Sequence, residues 1–203
     1  MKKNFPYKLD QFQKKSIEAL DAENSVLVTA PTSSGKTFVA EHAIVKALEQ
    51  SKYLYYTAPI KALCNQKFRD FSNQFGEENV GLLTGDHSIR SDSKVLVMTT
   101  EVLRNMLYSP RGVPEDLAFV VLDEIHFLED PYRGAVWEEI ILTLPKRVLI
   151  VALSATVSNA DELKDWIASV RGNIKQITRE TRPVPLKGHF FAAEKTRHYQ
   201  LTR

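Results

Sequence analysis

Residues 30–37 (Ala-Pro-Thr-Ser-Ser-Gly-Lys-Thr) bring small residues, a glycine, a lysine and a terminal hydroxyl together in one short run. A β-prone segment, residues 25–29, precedes the run, and a helix-permissive segment, residues 38–49, follows it. Strand, small-residue turn, Gly-Lys-Thr and helix form the layout of a phosphate-binding loop, in which backbone N–H groups face an anion. The pattern predicts a nucleoside triphosphate site, although Ala30 stands where the pattern usually has glycine.

The residue types in this run suggest separate tasks around a triphosphate. Lys36 is expected to reach the β- and γ-phosphates, and the Thr37 hydroxyl is expected to ligate Mg²⁺. The turn before them would contact the phosphates, which adds four cofactor-binding residues: Thr32, Ser33, Ser34 and Gly35. A solvated turn that happens to contain Gly-Lys-Thr is the competing interpretation, and the flanking strand and helix argue against it.

A second polar group, Asp-Glu-Ile-His at residues 123–126, comes directly after the apolar residues 119–122. A buried strand ending there would place Asp123 at the ligand-binding edge of a parallel sheet, where it could hold Mg²⁺ through water. Glu124 would then lie near the γ-phosphate and could orient and deprotonate the attacking water. The alternative is a solvated acidic turn. Several strand–helix units separate this group from Lys36, so both can meet at one sheet edge.

These groups can act together only if the elements that carry them end at a common edge. Short apolar segments bounded by turn residues predict strands, and amphipathic stretches predict helices. The further predicted strands are 53–58, 80–83, 94–99, 148–153 and 175–178. The predicted helices are 11–23, 38–49, 62–75, 101–108 and 134–144, and residues 158–159 are predicted to cap a further helix that runs through about residue 169. Strands alternating with helices predict an α/β fold with a parallel sheet, helices on both faces, and ligands beyond the carboxyl ends of the strands.

Composition excludes several other classes of protein. A net charge of +2 from 27 basic and 25 acidic residues is too small to indicate nucleic-acid binding by itself. The only cysteine, Cys64, leaves no intrachain disulfide and no cysteine-rich zinc site. No apolar run has the length of a membrane span, and residues 4–8 are no apolar signal core. We therefore expect no membrane partner and a cytoplasmic location, or a nuclear one in a eukaryote.

The order of the polar groups resembles a known family. Residues 154–156 (Ser-Ala-Thr) follow a predicted strand and could hydrogen-bond the carboxylates. Taken in order, residues 30–37, 123–126 and 154–156 resemble motifs I, II and III of superfamily 2 helicases of the DExH-box type. Residues 57–67 resemble motif Ia of these helicases, and residues 83–86 and 99–104 are similar to further strand-contacting motifs.

Two flanking segments are similar to one branch of this superfamily. Residues 133–139 (Arg-Gly-Ala-Val-Trp-Glu-Glu) resemble the superkiller-type RNA helicases that feed the RNA exosome. Residues 182–186 resemble the segment with which those proteins leave their first RecA-like domain. The resemblance implies a three-layer P-loop NTPase (RecA-like) domain that uses ATP and Mg²⁺. It also implies that this domain belongs to an ATP-dependent RNA helicase that couples hydrolysis to translocation and unwinding.

The resemblance extends to individual residues. Gln13 matches the glutamine that reads the adenine edge, with Gln11 as the competing candidate. Besides Lys36, Asp123 and Glu124, the family's catalytic set includes His126. Positions that match contacts to the nucleic-acid backbone are Pro59, Lys61, Gly85, Thr99 and Thr100. Positions that would couple nucleotide state to the second domain and the nucleic-acid groove, together with His126, are Ser154 and Thr156.

The resemblance also implies a domain organisation. Residues 1–24 would form an adenine-reading segment and helix, residues 25–181 the motor domain, and residues 182–203 the start of a linker to a second RecA-like domain. That second domain would supply an arginine finger, whose absence costs about 10³–10⁵ in turnover. We therefore expect the 203-residue chain alone to be nearly inactive. Expected partners are nucleic acid, with RNA favoured over DNA, the second domain, and the RNA-degradation machinery.

Three other functions compete with this prediction. A DNA repair helicase of superfamily 2 would share the Asp-Glu-Ile-His run and residues 182–186. A non-catalytic nucleotide-dependent nucleic-acid-binding module would not need an intact Lys36, Thr37, Asp123 and Glu124. A P-loop kinase or GTPase would leave residues 123–126 and 154–156 without a role.

Overall fold

A computed structural model of the chain describes residues 9–130, 134–155, 159–181, 190–192 and 200–202. The strands in these residues are β1 Ser25–Thr29, β2 Tyr53–Ala58, β3 Val80–Leu83, β4 Ser88–Ile89, β5 Val95–Thr99, β6 Leu117–Leu122, β7 Leu149–Ser154, β8 Ile174–Thr178, β9 Phe190–Ala192 and β10 Gln200–Thr202. The α-helices are α1 Gln11–Asp21, α2 Thr37–Glu49, α3 Lys61–Phe75, α4 Thr100–Leu107, α5 Gly134–Thr143 and α6 Ala160–Arg171.

Eight of the strands form one sheet in the order β4-β3-β5-β2-β6-β7-β1-β8. Every neighbouring pair is parallel except β3 and β4. The register pairs Thr29 with Ser154 and Ala58 with Thr99, so these strands end at one edge of the sheet. Parallel strands joined by helices bring their carboxyl ends together in this way, and ligands bind there. The mainly parallel sheet predicted from the sequence is confirmed.

Helices cover both faces of the sheet, because consecutive strand residues point to opposite sides. On one face, Val26 and Tyr56 belong to a core closed by α1, α2 and α3. On the other face, Leu27 and Tyr55 belong to a core closed by α4, α5 and α6. Trp137 on α5 is the largest fully buried side chain among the described residues. The predicted three-layer α/β arrangement is confirmed.

Helix α1 begins where the sequence predicts it to begin. Asp10 caps the helix: its side chain accepts from the backbone of the first turn, and the Gln13 side chain accepts from the Asp10 backbone. This reciprocal capping box satisfies backbone donors that have no partner inside a helix. The helix packs against α2, β1 and β8, so Gln13 is held close to the loop that follows β1.

The two-residue strand β4 and the hairpin of β9 and β10 were not predicted from the sequence. A strand of two or three residues is too short to show an alternating apolar pattern. Thr156, Arg133 and residues 182–186 lie outside the described residues. In the part of the chain that the structure describes, no helix is long and apolar enough to span a bilayer.

Candidate nucleotide and nucleic-acid sites

The phosphate-binding loop follows β1 and runs into the first turn of α2. Its backbone takes positive φ at Ser33 (65°) and at Gly35 (90°). The positive φ favours glycine at position 35, and a Cβ atom there would lie 2.7 Å from the Gln13 amide nitrogen, so the Gln13 side chain would have to move. Lys36 Nζ donates to the carbonyl oxygens of Ala30 (2.6 Å) and Pro31 (3.2 Å). The lysine is therefore folded back onto its own loop.

The other loop residues differ in exposure. Thr32 and Ser33 are exposed, Thr37 is half-buried, and Ser34 is buried. The Ser34 hydroxyl has no hydrogen-bond partner within the described residues. A buried hydroxyl without a partner is uncommon and marks a place where a ligand oxygen could bind. The loop therefore has exposed hydroxyls at Thr32 and Ser33 and a buried hydroxyl at Ser34.

Gln13 lies against this loop. Its Oε1 accepts from the Asp10 backbone (2.9 Å) and its Nε2 donates to the Gly35 carbonyl (3.2 Å). The side chain is only 7% exposed, whereas Gln11 is exposed on the same helix. A primary amide has two donors and two acceptor lone pairs, so one donor and one lone pair remain available. Contact of Gln13 with adenine stays a prediction.

The carboxylates stand at the end of β6. Asp123 is 9% exposed, and its Oδ1 accepts from the Glu124 backbone at 3.0 Å. Glu124 follows in the left-handed region (φ 54°), which turns the chain sharply away from the strand. Burial raises the pKa of Glu124, and the charge of Asp123 raises it further. His126, Lys36 and Lys67 lower it, so the phosphate loop and the carboxylates share one electrostatic environment.

His126 connects the carboxylates to the end of β7. Its Nδ1 lies 3.3 Å from Glu124 Oε2 and 3.4 Å from the Ala155 backbone nitrogen. An unprotonated Nδ1 can accept from Ala155, and a protonated one can donate to Glu124, so the protonation state selects the partner. Ser154, beside Ala155, is fully buried, and its hydroxyl has no partner among the described residues. The predicted motif II and motif III segments are therefore neighbours.

Two side chains at this site had no assigned role at the sequence level. Tyr56, fully buried in β2, donates its hydroxyl hydrogen to Asp123 Oδ2. Lys67 on α3 donates to the Thr37 hydroxyl oxygen at 3.0 Å. Lys67 ends the segment that resembles motif Ia, and Tyr56 carries a polar group inside an apolar strand. Those are the only signals in the sequence that could have singled them out.

A groove lies beside the nucleotide site at the same edge of the sheet. Its volume is about 590 Å³, and its lining includes Pro59, Lys61, Gly85 and Thr99, four of the five residues predicted to contact nucleic acid. Thr100, the fifth, is fully buried at the start of α4, and its hydroxyl has no partner in the described part of the chain. The structure therefore brings four of the predicted residues together and places the Thr100 side chain in the interior.

The charges in this groove are partly neutralised within the protein. Lys61 Nζ lies 2.9 Å from Asp86 Oδ1, with both side chains more than half exposed. Hydrogen bonds from Lys61 and then from Thr84 lower the pKa of Asp86. A phosphate that binds Lys61 would therefore have to compete with the Asp86 carboxylate.

The sequence profile described as "DEAD/DEAH box helicase" matches residues 10–164 of the chain. The chain belongs to the DEAD/DEAH box helicase family. Superkiller complex protein 2 of Homo sapiens is 50% identical over 189 residues, which are 93% of this chain and 15% of that protein. The DExH-box ATP-dependent RNA helicase DExH15, chloroplastic, of Arabidopsis thaliana is 48% identical over 192 residues, 92% of this chain and 16% of that protein.

A further relative and a solved structure are also helicases. Probable helicase HelY of Mycobacterium tuberculosis is 50% identical over 190 residues, 94% of this chain and 21% of that protein. The chain thus spans only about a fifth, or less, of the length of these curated relatives. The crystal structure of the DUF1998 helicase MrfA bound to DNA covers 88% of this chain with a TM-score of 0.73 and 18% identity. This likeness confirms the RecA-like fold.

The residues of this helicase domain fit a magnesium ion held together with a nucleotide. Within the described residues, no group of three or more His, Cys, Asp and Glu side chains could hold a metal ion alone. Mg²⁺, however, usually keeps several waters and is bound by one or two carboxylates plus substrate phosphates. Asp123 at the end of β6 could supply the carboxylate, and the Thr37 hydroxyl at the start of α2 could supply a further oxygen, without a dedicated cage.

Proposed function

We propose that the chain is the first RecA-like domain of an ATP-dependent RNA helicase. It would bind ATP with Mg²⁺ and, together with a second RecA-like domain, couple hydrolysis to translocation along nucleic acid and unwinding. The observation that carries this proposal is the shared sheet edge: phosphate loop, carboxylates and a groove lined by Lys61 meet there. Residues 1–24 would form the adenine-reading segment and helix, residues 25–181 the motor domain, and residues 182–203 the start of the linker.

The roles of the site residues follow from their positions. Lys36 would exchange the Ala30 and Pro31 carbonyls for the β- and γ-phosphates. Thr37 and Asp123 would hold Mg²⁺, which neutralises phosphate charge. Glu124 would orient and deprotonate the attacking water. Its raised pKa suits this task, because a base works best when its pKa is close to the operating pH.

The remaining residues would link this chemistry to movement. His126 contacts both the Glu124 side chain and the segment after β7, so a change at the γ-phosphate could reach Ser154 and Thr156. Gln13 would read the adenine. The groove residues Pro59, Lys61, Gly85 and Thr99, with Thr100 contributing through its backbone, would bind the nucleic-acid backbone without reading sequence.

RNA is the proposed substrate because two relatives that match over most of this chain are named for RNA or for the superkiller complex. A DNA repair helicase is the second candidate, and the likeness to MrfA concerns the fold alone. Action with the RNA-degradation machinery is proposed from the superkiller resemblance. The cytoplasmic or nuclear location stays a prediction.

Hydrolysis by the full-length protein tests the proposal. Phosphate release from ATP should rise on adding single-stranded RNA and rise less on adding DNA of the same sequence. Glu124→Gln should lose this activity while still binding ATP, and Glu18→Gln, which changes an exposed side chain on α1, should keep it. Equal rates for wild type and Glu124→Gln would favour the non-catalytic module, and stronger stimulation by DNA would favour the repair-type helicase.

The 203-residue chain alone provides a second test. It should bind ATP but release phosphate about 10³–10⁵ times more slowly than the full-length protein with RNA, because the proposed second domain would supply the arginine finger. Robust RNA-stimulated hydrolysis by the chain alone would contradict the need for a second domain.

A further inference from the structure

Lys67 reaches the nucleotide site from a different direction than the phosphate loop. It lies in the middle of α3, and its Nζ donates to Thr37 Oγ1 at 3.0 Å. The same face of α3 is fixed on either side of Lys67. Cys64, three residues earlier, is fully buried, and Phe71, four residues later, packs edge-to-face on Tyr56 with ring centroids 5.1 Å apart. The helix therefore holds Lys67 at the site.

The Thr37 hydroxyl is the atom for which two cations would compete. Mg²⁺ binds oxygen ligands at about 2.0–2.1 Å. An ammonium nitrogen 3.0 Å from the same oxygen would lie within about 5 Å of that ion. Like charges at this distance repel, and in a half-buried site the repulsion is poorly screened. The observed Lys67 contact and a magnesium ion on the same hydroxyl therefore disfavour each other.

Lys67 also adds to the positive charge of the site. Its charge, with that of Lys36, contributes to lowering the pKa of Glu124. Lys36 donates to carbonyl oxygens of its own loop, whereas Lys67 donates to the Thr37 hydroxyl oxygen. The two lysines are therefore not interchangeable: one holds the loop backbone and the other holds the metal-binding hydroxyl.

We propose that Lys67 is a positioning residue that binds the Thr37 hydroxyl, competes with Mg²⁺ for that oxygen and is displaced by the magnesium complex of ATP. The ammonium then sets how strongly the site prefers the magnesium complex. When ATP binds without Mg²⁺, the Lys67 ammonium is already at the site and offsets part of the negative charge of the triphosphate. The magnesium complex must first break the contact between Lys67 and Thr37. This inference rests on the ATP and Mg²⁺ binding proposed above.

Binding of a fluorescent ATP analogue to the 203-residue chain tests this inference. The dissociation constant is measured once with excess Mg²⁺ and once with EDTA, and the preference is the EDTA value divided by the Mg²⁺ value. In Lys67→Met, binding with Mg²⁺ should tighten and binding in EDTA should weaken. The preference should rise about tenfold, the size expected when one charge-assisted hydrogen bond is removed.

Lys94→Met is the matched control, because it removes the same charge at the opposite end of the sheet. Lys94 directly precedes β5 and pairs with Asp116 at 3.3 Å. The Lys94→Met variant should have the same ratio of dissociation constants, EDTA over Mg²⁺, as the wild type. If circular dichroism shows that Lys67→Met does not fold, Lys67→Gln replaces it, with the same expected rise.

The outcomes separate this inference from the proposed function. A wild-type chain that binds the analogue while Lys67→Met shows an unchanged preference would overturn the inference alone. Equal weakening with Mg²⁺ and in EDTA would also overturn it, because it would make Lys67 a permanent phosphate ligand. A wild-type chain that binds the analogue in neither condition would overturn the proposed nucleotide site as well.

Discussion

Tyr56→Phe removes one oxygen atom from the interior of the proposed nucleotide site. The Tyr56 side chain is fully buried, and its hydroxyl donates to Asp123 Oδ2. Burial, and after it the Asp123 charge, raise the pKa of Tyr56 well above its usual value, so the hydroxyl keeps its proton in ordinary buffers. The substitution leaves the ring in place against Phe71. What it removes is the hydrogen bond that orients the proposed metal ligand.

The expected loss follows from the partners of Asp123. A hydrogen bond to a charged group contributes about 1.5–3 kcal/mol. Asp123 keeps its bond from the Glu124 backbone and is 9% exposed, so water can replace part of the loss. We therefore expect a decrease in the free energy of unfolding of about 1.5–2 kcal/mol. For a domain of this size, that lowers the melting temperature by about 3–8 °C.

Function should suffer beyond stability. Removing an outer hydrogen bond to a metal ligand typically costs 10–100-fold in metal affinity or activity. The Mg²⁺ concentration that half-saturates binding of an ATP analogue should therefore rise about tenfold in Tyr56→Phe. Binding of the same analogue in EDTA should change much less, because the loop that would hold the phosphates is untouched.

Urea denaturation and a magnesium titration measure the two effects. A double-mutant cycle in the free energy of unfolding compares wild type, Tyr56→Phe, Asp123→Ala and the double variant. The expected interaction energy between Tyr56 and Asp123 is about 1.5 kcal/mol. Tyr55→Phe, which faces the other core, is the control and should cost clearly less. A Tyr56→Phe cost below about 0.5 kcal/mol, or the same cost with and without Asp123, would refute the reasoning.

The remaining predictions concern the groove, the carboxylate and one packing contact. Asp86→Asn should strengthen nucleic-acid binding by the chain, because it removes the carboxylate that pairs with Lys61. Lys61→Ala should reduce the slope of log binding constant against log salt concentration by about one in filter-binding titrations. Glu124→Gln should raise the melting temperature near neutral pH, since the pKa of Glu124 is raised and its ionised form is costly in the folded chain. That gain should vanish below the ordinary value of 4.5, where the carboxyl is protonated in both states. Gly134→Ala should lower the free energy of unfolding by about 1–3 kcal/mol, because its Cβ would lie 2.0 Å from a backbone carbonyl oxygen. Gly85→Ala, with no atom within 4 Å of the added carbon, should change it by less than about 0.5 kcal/mol in urea denaturation. Equal costs for the two glycine variants, or a Glu124→Gln gain that persists at low pH, would contradict these expectations.

Residues 30–37 and 123–126 were found from the sequence because their signals are local. Each group directly follows a run of apolar residues, and the polar residue at the end of a buried strand must lie at the edge of the sheet. The alternation of strands and helices predicted the parallel sheet for the same reason. Strand order could not be predicted in this way, because it depends on which helices cross which face.

The sequence by itself determined the layers of the fold, the phosphate loop, the strand-end carboxylates and the family resemblance. Only the tertiary structure decided that Tyr56 holds Asp123, that Lys67 holds Thr37 and that Lys61 is paired with Asp86. The first two contacts join residues 67 and 30 positions apart. Such contacts depend on neighbouring strands and on the rotation of α3 about its axis. Packing of the whole domain sets these features, and no short stretch of sequence encodes them.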